Sequence, residues 1–325
     1  KNAKYFLQNV FQTKNQSVES RTVTYLLNNA VEDGGTWNMA VNLINKYGVI
    51  PKSVMRETFH SGNSMRLNFF LTENLKMIAY QIRESNIDNI EDFIEEKMKD
   101  IYKLLVLFLG IPPTHFDWEY TVDTSSDKFK KSKKSKSKED DKNIKKRINN
   151  LTPKVFTEKY LKFNSDEWVL CCNFPSDEYK YYDVYDIRYC NNMIDGEKTK
   201  MFNLPIDYII DFTRKSIDSE QSVWFACDYS KYLSTKHSIL STKTYDYSDL
   251  YSNKLAKYDK KINLKYKISV PNHAMLFIGY DKNHNNKVDK WLVENSHGNG
   301  NGRSENINYK GAEENGYITM TTDWF

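Results

Sequence analysis

Apolar residues recur at helical spacing through the first third of the chain. Trp37, Ala40, Val41, Ile44 and Tyr47 share one face, and Gly48 with Pro51 supplies the stop. Upstream, from Arg21, the text reads as a strand or short helix followed by a glycine turn. A second helix starts near Ser64 and repeats Leu67, Phe70, Leu71, Leu75, Ile78 and Ile82; a third spans about 90–109 and ends at Gly110, Pro112 and Pro113. Thr152-Pro153 gives an N-cap and a first-turn proline for a short helix. The period then changes. Runs at 168–173, 181–188 and 222–228 are short and strand-like, with a helix over 205–217 between the last two. The final third is more clearly β, with apolar, β-branched or aromatic runs at 273–280, 290–295 and 316–320. No internal repeat is visible. Helices first and strands later predict an α+β protein, its helical half packed on a barrel-like antiparallel sheet.

A chain of 325 residues with 39% hydrophobic and 14% aromatic content can bury a large core without a metal or disulfide staple. The organisation expected is a helical part at 1–120, a basic low-complexity insert at 121–150, and a β-rich part at 151–325. Eleven Lys or Arg and three acidic residues lie between Lys128 and Arg147, a local +8 within a total of +4, so the remainder is mildly acidic. That insert is too poor in apolar residues to fold alone and reads as a solvated loop; clustered lysines also allow salt-sensitive contact with nucleic-acid phosphates. No apolar run approaches the roughly 20 residues of a membrane helix, and the N-terminal residues lack the apolar stretch of a signal peptide. Cys171, Cys172, Cys190 and Cys227 have no metal-site or disulfide spacing, which favours a reducing, cytoplasmic setting. No cofactor is implied.

The chemistry concentrates near the C-terminal end. His273 opens one strand-like run and Asn295 closes the next, so pairing across the 281–289 turn can set them side by side. An amide oxygen that accepts from one ring nitrogen fixes an imidazole's tautomer and aims the other nitrogen at a nucleophile. Taken alone, His273 also reads as a satisfied strand-end histidine and Asn295 as a turn residue. A zinc site from His273, His284 and His297 fits no common spacing, and Gly298-x-Gly300-x-Gly302 is followed by no helix that would make it a phosphate loop.

The motifs around these residues carry a resemblance. His273-Ala274-Met275 continuing to Gly279-Tyr280, Trp291-x-Val293-Glu294-Asn295-Ser296, and Asn315-Gly316-Tyr317-Ile318 resemble the C-terminal half of the papain superfamily. Asp33-Gly34-Gly35-x-Trp37 with Tyr47-Gly48-Val49-Ile50-Pro51-Lys52 resembles bleomycin hydrolases and bacterial aminopeptidase C more closely. So do Pro112-Pro113, Trp118-Glu119-Tyr120, Pro205-Ile206-Asp207, Val223-Trp224-Phe225-x-Cys227-Asp228 and Thr322-Asp323-Trp324-Phe325.

The resemblance implies a papain-like fold with helical insertions, and a cysteine aminopeptidase acting on peptides through a Cys-His-Asn mechanism in a ring-shaped homohexamer. It assigns His273 as general base, Asn295 as its orienting partner, and Gly34, Gly35 and Ala274 to the substrate cleft. Two positions depart from the family. His297 stands where an aromatic Trp shields the His-Asn bond, and the nucleophilic Cys, with its oxyanion-hole Gln, has no counterpart in this chain. The expectation is that Gly34-Gly35 and His273 face each other across a groove, with a thiol-bearing helix from sequence outside this chain or from a second chain between them, and that the C-terminal arm of the family is likewise outside. The alternative is a catalytically inactive papain-fold scaffold or a nucleic-acid-binding protein.

Overall fold

Residues 3–31, 34–123, 143–190, 192–229, 231–234, 237–244, 260–295 and 316–325 are described by a computed structural model. They group into two units, one made of 1–168 with 187–199 and the other of 169–186 with 200–325.

In the first unit, the apolar stripes of the sequence become helices. These are α1 (Ala3–Gln12), α2 (Arg21–Asn28), α3 (Trp37–Tyr47), α4 (Phe59–Gly62), α5 (Met65–Glu84) and α6 (Ile90–Leu109). The stripe Leu67, Leu71, Leu75, Ile78 and Ile82 of α5 is buried against Phe6, Leu7 and Val10 of α1 and Ile94 and Ile101 of α6. Helix α6 begins at Asn89, whose side chain accepts from the N–H groups of Glu91 and Asp92, with both acids in the first turn where the helix dipole favours them. Helix α3 stops at Gly48, whose φ is +75°. A Cβ there would stand 2.4 Å from the carbonyl carbon of Pro153, so both backbone conformation and space demand glycine.

The flanks of the basic insert are not loop. Strands β1 (Phe116–Asp123) and β2 (Asn143–Leu151) pair antiparallel, Glu119 opposite Arg147 and Val122 opposite Ile144. Opposite charges sit across this ladder, and Arg147 donates to Asp117 at 2.8 Å. Trp118 stacks on Tyr120 and meets Phe156 edge-on, which ties the hairpin to the short helix α7 (Pro153–Phe156), capped by Thr152. Residues 124–142 lie outside the described residues.

The second unit holds two sheets. Strands β3 (Cys171–Cys172), β5 (Lys200–Asn203) and β4 (Val184–Asp186) form a small one in that spatial order. Asn203 is fully buried there, accepting from Phe174 N–H and donating to the Phe174 and Tyr179 carbonyls, so its polar atoms are satisfied. Helix α8 (Ile206–Asp218) leads to the larger sheet, whose order is β6 (Val223–Cys227), β9 (His273–Lys282), β10 (Val288–Glu294), β11 (Tyr317–Thr321), β8 (Ile239–Leu240) and β7 (Leu233–Ser234). It is mixed rather than purely antiparallel, because β11 and β8 run parallel. Helix α9 (Lys260–Lys265) precedes β9. Alternate residues of the central strands, Met275 and Phe277, Trp291 and Val293, Ile318 and Met320, form one buried face.

Candidate active site

That alternation decides where the two chemical residues fall. His273 has the parity of Met275 and Phe277, and Asn295 that of Trp291 and Val293, so both lie on the core-facing side at one end of the sheet. Glu294 is opposite Leu276, which makes Asn295 and His273 diagonal neighbours across the β9–β10 ladder. His273 Nε2 and Asn295 Oδ1 are 2.8 Å apart. With the amide oxygen facing the ring, Nε2 must carry the hydrogen and Nδ1 the lone pair in the neutral imidazole. Asn295 is only 3% exposed, its N–H bonds the Gly316 carbonyl at 2.8 Å, and its Nδ2 donates to the Tyr229 hydroxyl at 3.2 Å.

The strand on the other side of β9 completes the surroundings. Cys227 is the direct partner of His273 in the β6–β9 register, yet burial pushes its thiol up to about 12, with Asp228 reinforcing the shift and a Trp324 hydrogen bond opposing it. A thiol that holds its proton so firmly is poorly suited to act as a nucleophile. Cys172 is pushed up to about 11 by burial and by Cys171, and the Cys171 thiol is raised by burial as well. Lys260 bears on the same cluster; burial brings its amine down to about 8, against the pull of Cys172 and Cys227.

Of the residues singled out by sequence, His273 and Asn295 are brought into contact, and Ala274 follows on β9 in the register opposite Ala226. Gly34 and Gly35 belong to the first unit. No described heavy atom lies within 4 Å of the point a Cβ would occupy at Gly34, whereas at Gly35 it would meet Met39 Sδ at 3.2 Å. The zinc reading fails on distance for one pair, because His273 begins β9 and His284 lies in the exposed turn beyond its end, roughly 30 Å along an extended strand. His297, Asp33 and residues 298–302 lie outside the described residues.

Sequence reasoning missed Tyr229 and Asn272. Tyr229 immediately follows the Cys227-Asp228 pair, and Asn272 precedes the histidine. The signal was the β6–β9 pairing, which seats both beside His273 and which no local pattern announces.

Comparison with known proteins adds three findings. A model of the Peptidase C1-like family matches residues 1–325. An aminopeptidase C of Listeria monocytogenes is 32% identical over 99% of this chain and 66% of its own length, and a bleomycin hydrolase of Mus musculus is 31% identical over 99% and 67%. The crystal structure of PepW from Lactobacillus rhamnosis superimposes with a TM-score of 0.85 at 32% identity, covering 99% of this chain and 67% of that one. The chain thus spans about two thirds of the length of the curated relatives it matches.

Proposed function

The chain belongs to the Peptidase C1-like family, and on that premise we propose that it carries the acid–base half of a cysteine aminopeptidase, with the nucleophilic thiol supplied by sequence outside the chain. The 2.8 Å contact between His273 Nε2 and Asn295 Oδ1 is the observation that supports this reading, because an imidazole that donates from Nε2 keeps its basic nitrogen at Nδ1. The high thiol pKa values of Cys172 and Cys227 support the external nucleophile.

In this mechanism the thiolate attacks the peptide carbonyl carbon while the His273 imidazolium holds the ion pair. Nδ1 gives its proton to the leaving amine as the C–N bond breaks, leaving a thioester. The neutral ring then takes a proton from water, whose oxygen attacks the thioester; the C–S bond breaks and the thiolate–imidazolium pair returns. Asn295 does no proton chemistry and keeps Nε2 occupied. Gly34 and Gly35 offer backbone to an extended peptide, and Ala274 lines the path beside the base.

The proposal extends to a homohexamer acting in the cytoplasm, supported by the resemblance to bleomycin hydrolases and by four cysteines that form no disulfide. No helix among the described residues is long and apolar enough to cross a membrane. A weak, sequence-independent contact with nucleic acid is proposed for the Lys128 to Arg147 segment, whose described end exposes Lys145 and Lys146 on β2. The test of the enzyme is steady-state hydrolysis of aminoacyl fluorogenic amides by the full-length protein. The activity should be lost on thiol alkylation and on blocking the substrate's amino group; turnover indifferent to alkylation would overturn the proposal.

A further inference from the structure

The pair His273–Asn295 works only if the amide stays in one orientation. An asparagine side chain has two nearly isosteric ends, and a half-turn about its last torsion would present Nδ2 to the imidazole and reverse which ring nitrogen bears the hydrogen. Something must therefore hold the Nδ2 end. In this structure the Tyr229 hydroxyl accepts from Asn295 Nδ2 at 3.2 Å and so anchors that end of the amide. The same side chain lays its ring beside the imidazole, with centroids 4.8 Å apart and planes inclined at 49°.

Tyr229 is itself fixed by Asn272, the residue just before β9. Its N–H donates to Asn272 Oδ1 at 3.0 Å, Asn272 Nδ2 donates to the buried Asp228 carboxylate at 3.1 Å, and the Asn272 N–H bonds the Cys227 carbonyl at 2.9 Å. The chain of contacts runs from Asn272 next to the base, through Tyr229, to Asn295 and back to His273. A side chain placed merely to fill space would need no hydroxyl contact with Asn295, and the tie to Asn272, made by the backbone N–H, fixes where residue 229 stands.

We propose that Tyr229 is a positioning residue for the proton-transfer pair: its hydroxyl anchors the far end of the Asn295 amide while Oδ1 meets His273 Nε2, and its ring shelters that bond from water. This inference rests on the cysteine-peptidase reading for its catalytic consequence, but the orientation it asserts is a property of the chain alone. Sheltering matters because a water competing for Oδ1 or Nε2 would loosen the tautomer preference. Tyr229 lies just past the end of β6, and its ring supplies this cover.

The experiment has two arms. In the first, long-range proton–nitrogen NMR of the nitrogen-labelled chain reads the tautomer of His273. The native spectrum should show one tautomer with hydrogen on Nε2, and Tyr229→Phe should give mixed or averaged ring signals together with faster exchange of the Asn295 amide protons. In the second, the full-length enzyme carrying Tyr229→Phe should lose about tenfold in kcat, the equivalent of one ordinary hydrogen bond, with KM changed by less than about twofold. Tyr229→Phe keeps the ring and its packing, and an unchanged thermal midpoint separates orientation from unfolding. A single unaltered tautomer in Tyr229→Phe, or a native kcat, overturns the proposal. If the spectrum changes as expected while His273→Ala remains active, the orienting role stands and the peptidase reading is what fails.

Discussion

Truncating Asn295 to alanine removes both ends of the orienting amide. His273 loses its acceptor at 2.8 Å and the Tyr229 hydroxyl loses its donor at 3.2 Å, in a place where the amide was 3% exposed. Leaving such partners unmatched costs roughly 1–3 kcal/mol of folding stability, a modest fall in the denaturation midpoint. The ring, no longer confined to one tautomer and one rotation, also loses about 1.4–2.8 kcal/mol of transition-state stabilisation, or roughly 10- to 100-fold in kcat/KM. Initial rates on an aminoacyl amide, measured well below the melting transition fixed by circular dichroism, separate the two effects. Because Asn295 acts through the imidazole, the double variant His273→Ala/Asn295→Ala should be no slower than His273→Ala alone. Native activity in Asn295→Ala, or a double variant that multiplies the single losses, would refute the reasoning.

Two further outcomes follow from other parts of the molecule. Removing 128–138 should leave the melting midpoint unchanged, since loop length enters closure entropy only logarithmically, while removal through Arg147 strips the partner of Glu119 to Asp123 and should lower it; any nucleic-acid affinity should weaken steeply with salt and disappear in both deletions. For Lys260, the folded amine titrates at about 8 against an ordinary 10.5, so between those values the unfolded chain binds more protons and stability should rise with pH. From 9 upward the Cys172 and Cys227 thiols, raised to about 11 and 12, act the other way, because the unfolded thiols release their protons first. Denaturation across pH 7–10 should show the rise below 9, and Lys260→Met should abolish it while adding on the order of 3 kcal/mol at pH 7. An unchanged slope in that variant would remove Lys260 from the cluster.

How much of this was legible in the sequence depended on where each element's stabilisation comes from. Helices α5 and α6 carry their own stripes and stops, and the structure follows those signals to within a residue at Ser64, Ile90 and Gly110. Helix α1 is only 10 residues long and buries Phe6, Leu7 and Val10 against residues of α5 and α6, so its stabilisation lies outside its own stretch. Strand β2 was hidden by charge. Its residues read as solvated because their stabilisation lies across the ladder in Asp117, Glu119 and Trp118, and not along the strand. The contact of His273 with Asn295 followed from period-two alternation in two recognisable strands. Tyr229 did not, since its place beside them depends on which strand pairs with the open edge of β9, a fact of topology that local pattern does not contain.

The most direct measurement is the peptidase rate of the full-length protein with His273 replaced by alanine, set beside the unaltered enzyme at equal folded concentration. If His273 is the proton-transfer group, kcat/KM falls at least about 10³-fold while the thermal midpoint stays close to native. A well-folded His273→Ala enzyme that turns over within about tenfold of the native rate would contradict the assignment of this pair as the catalytic base and its partner.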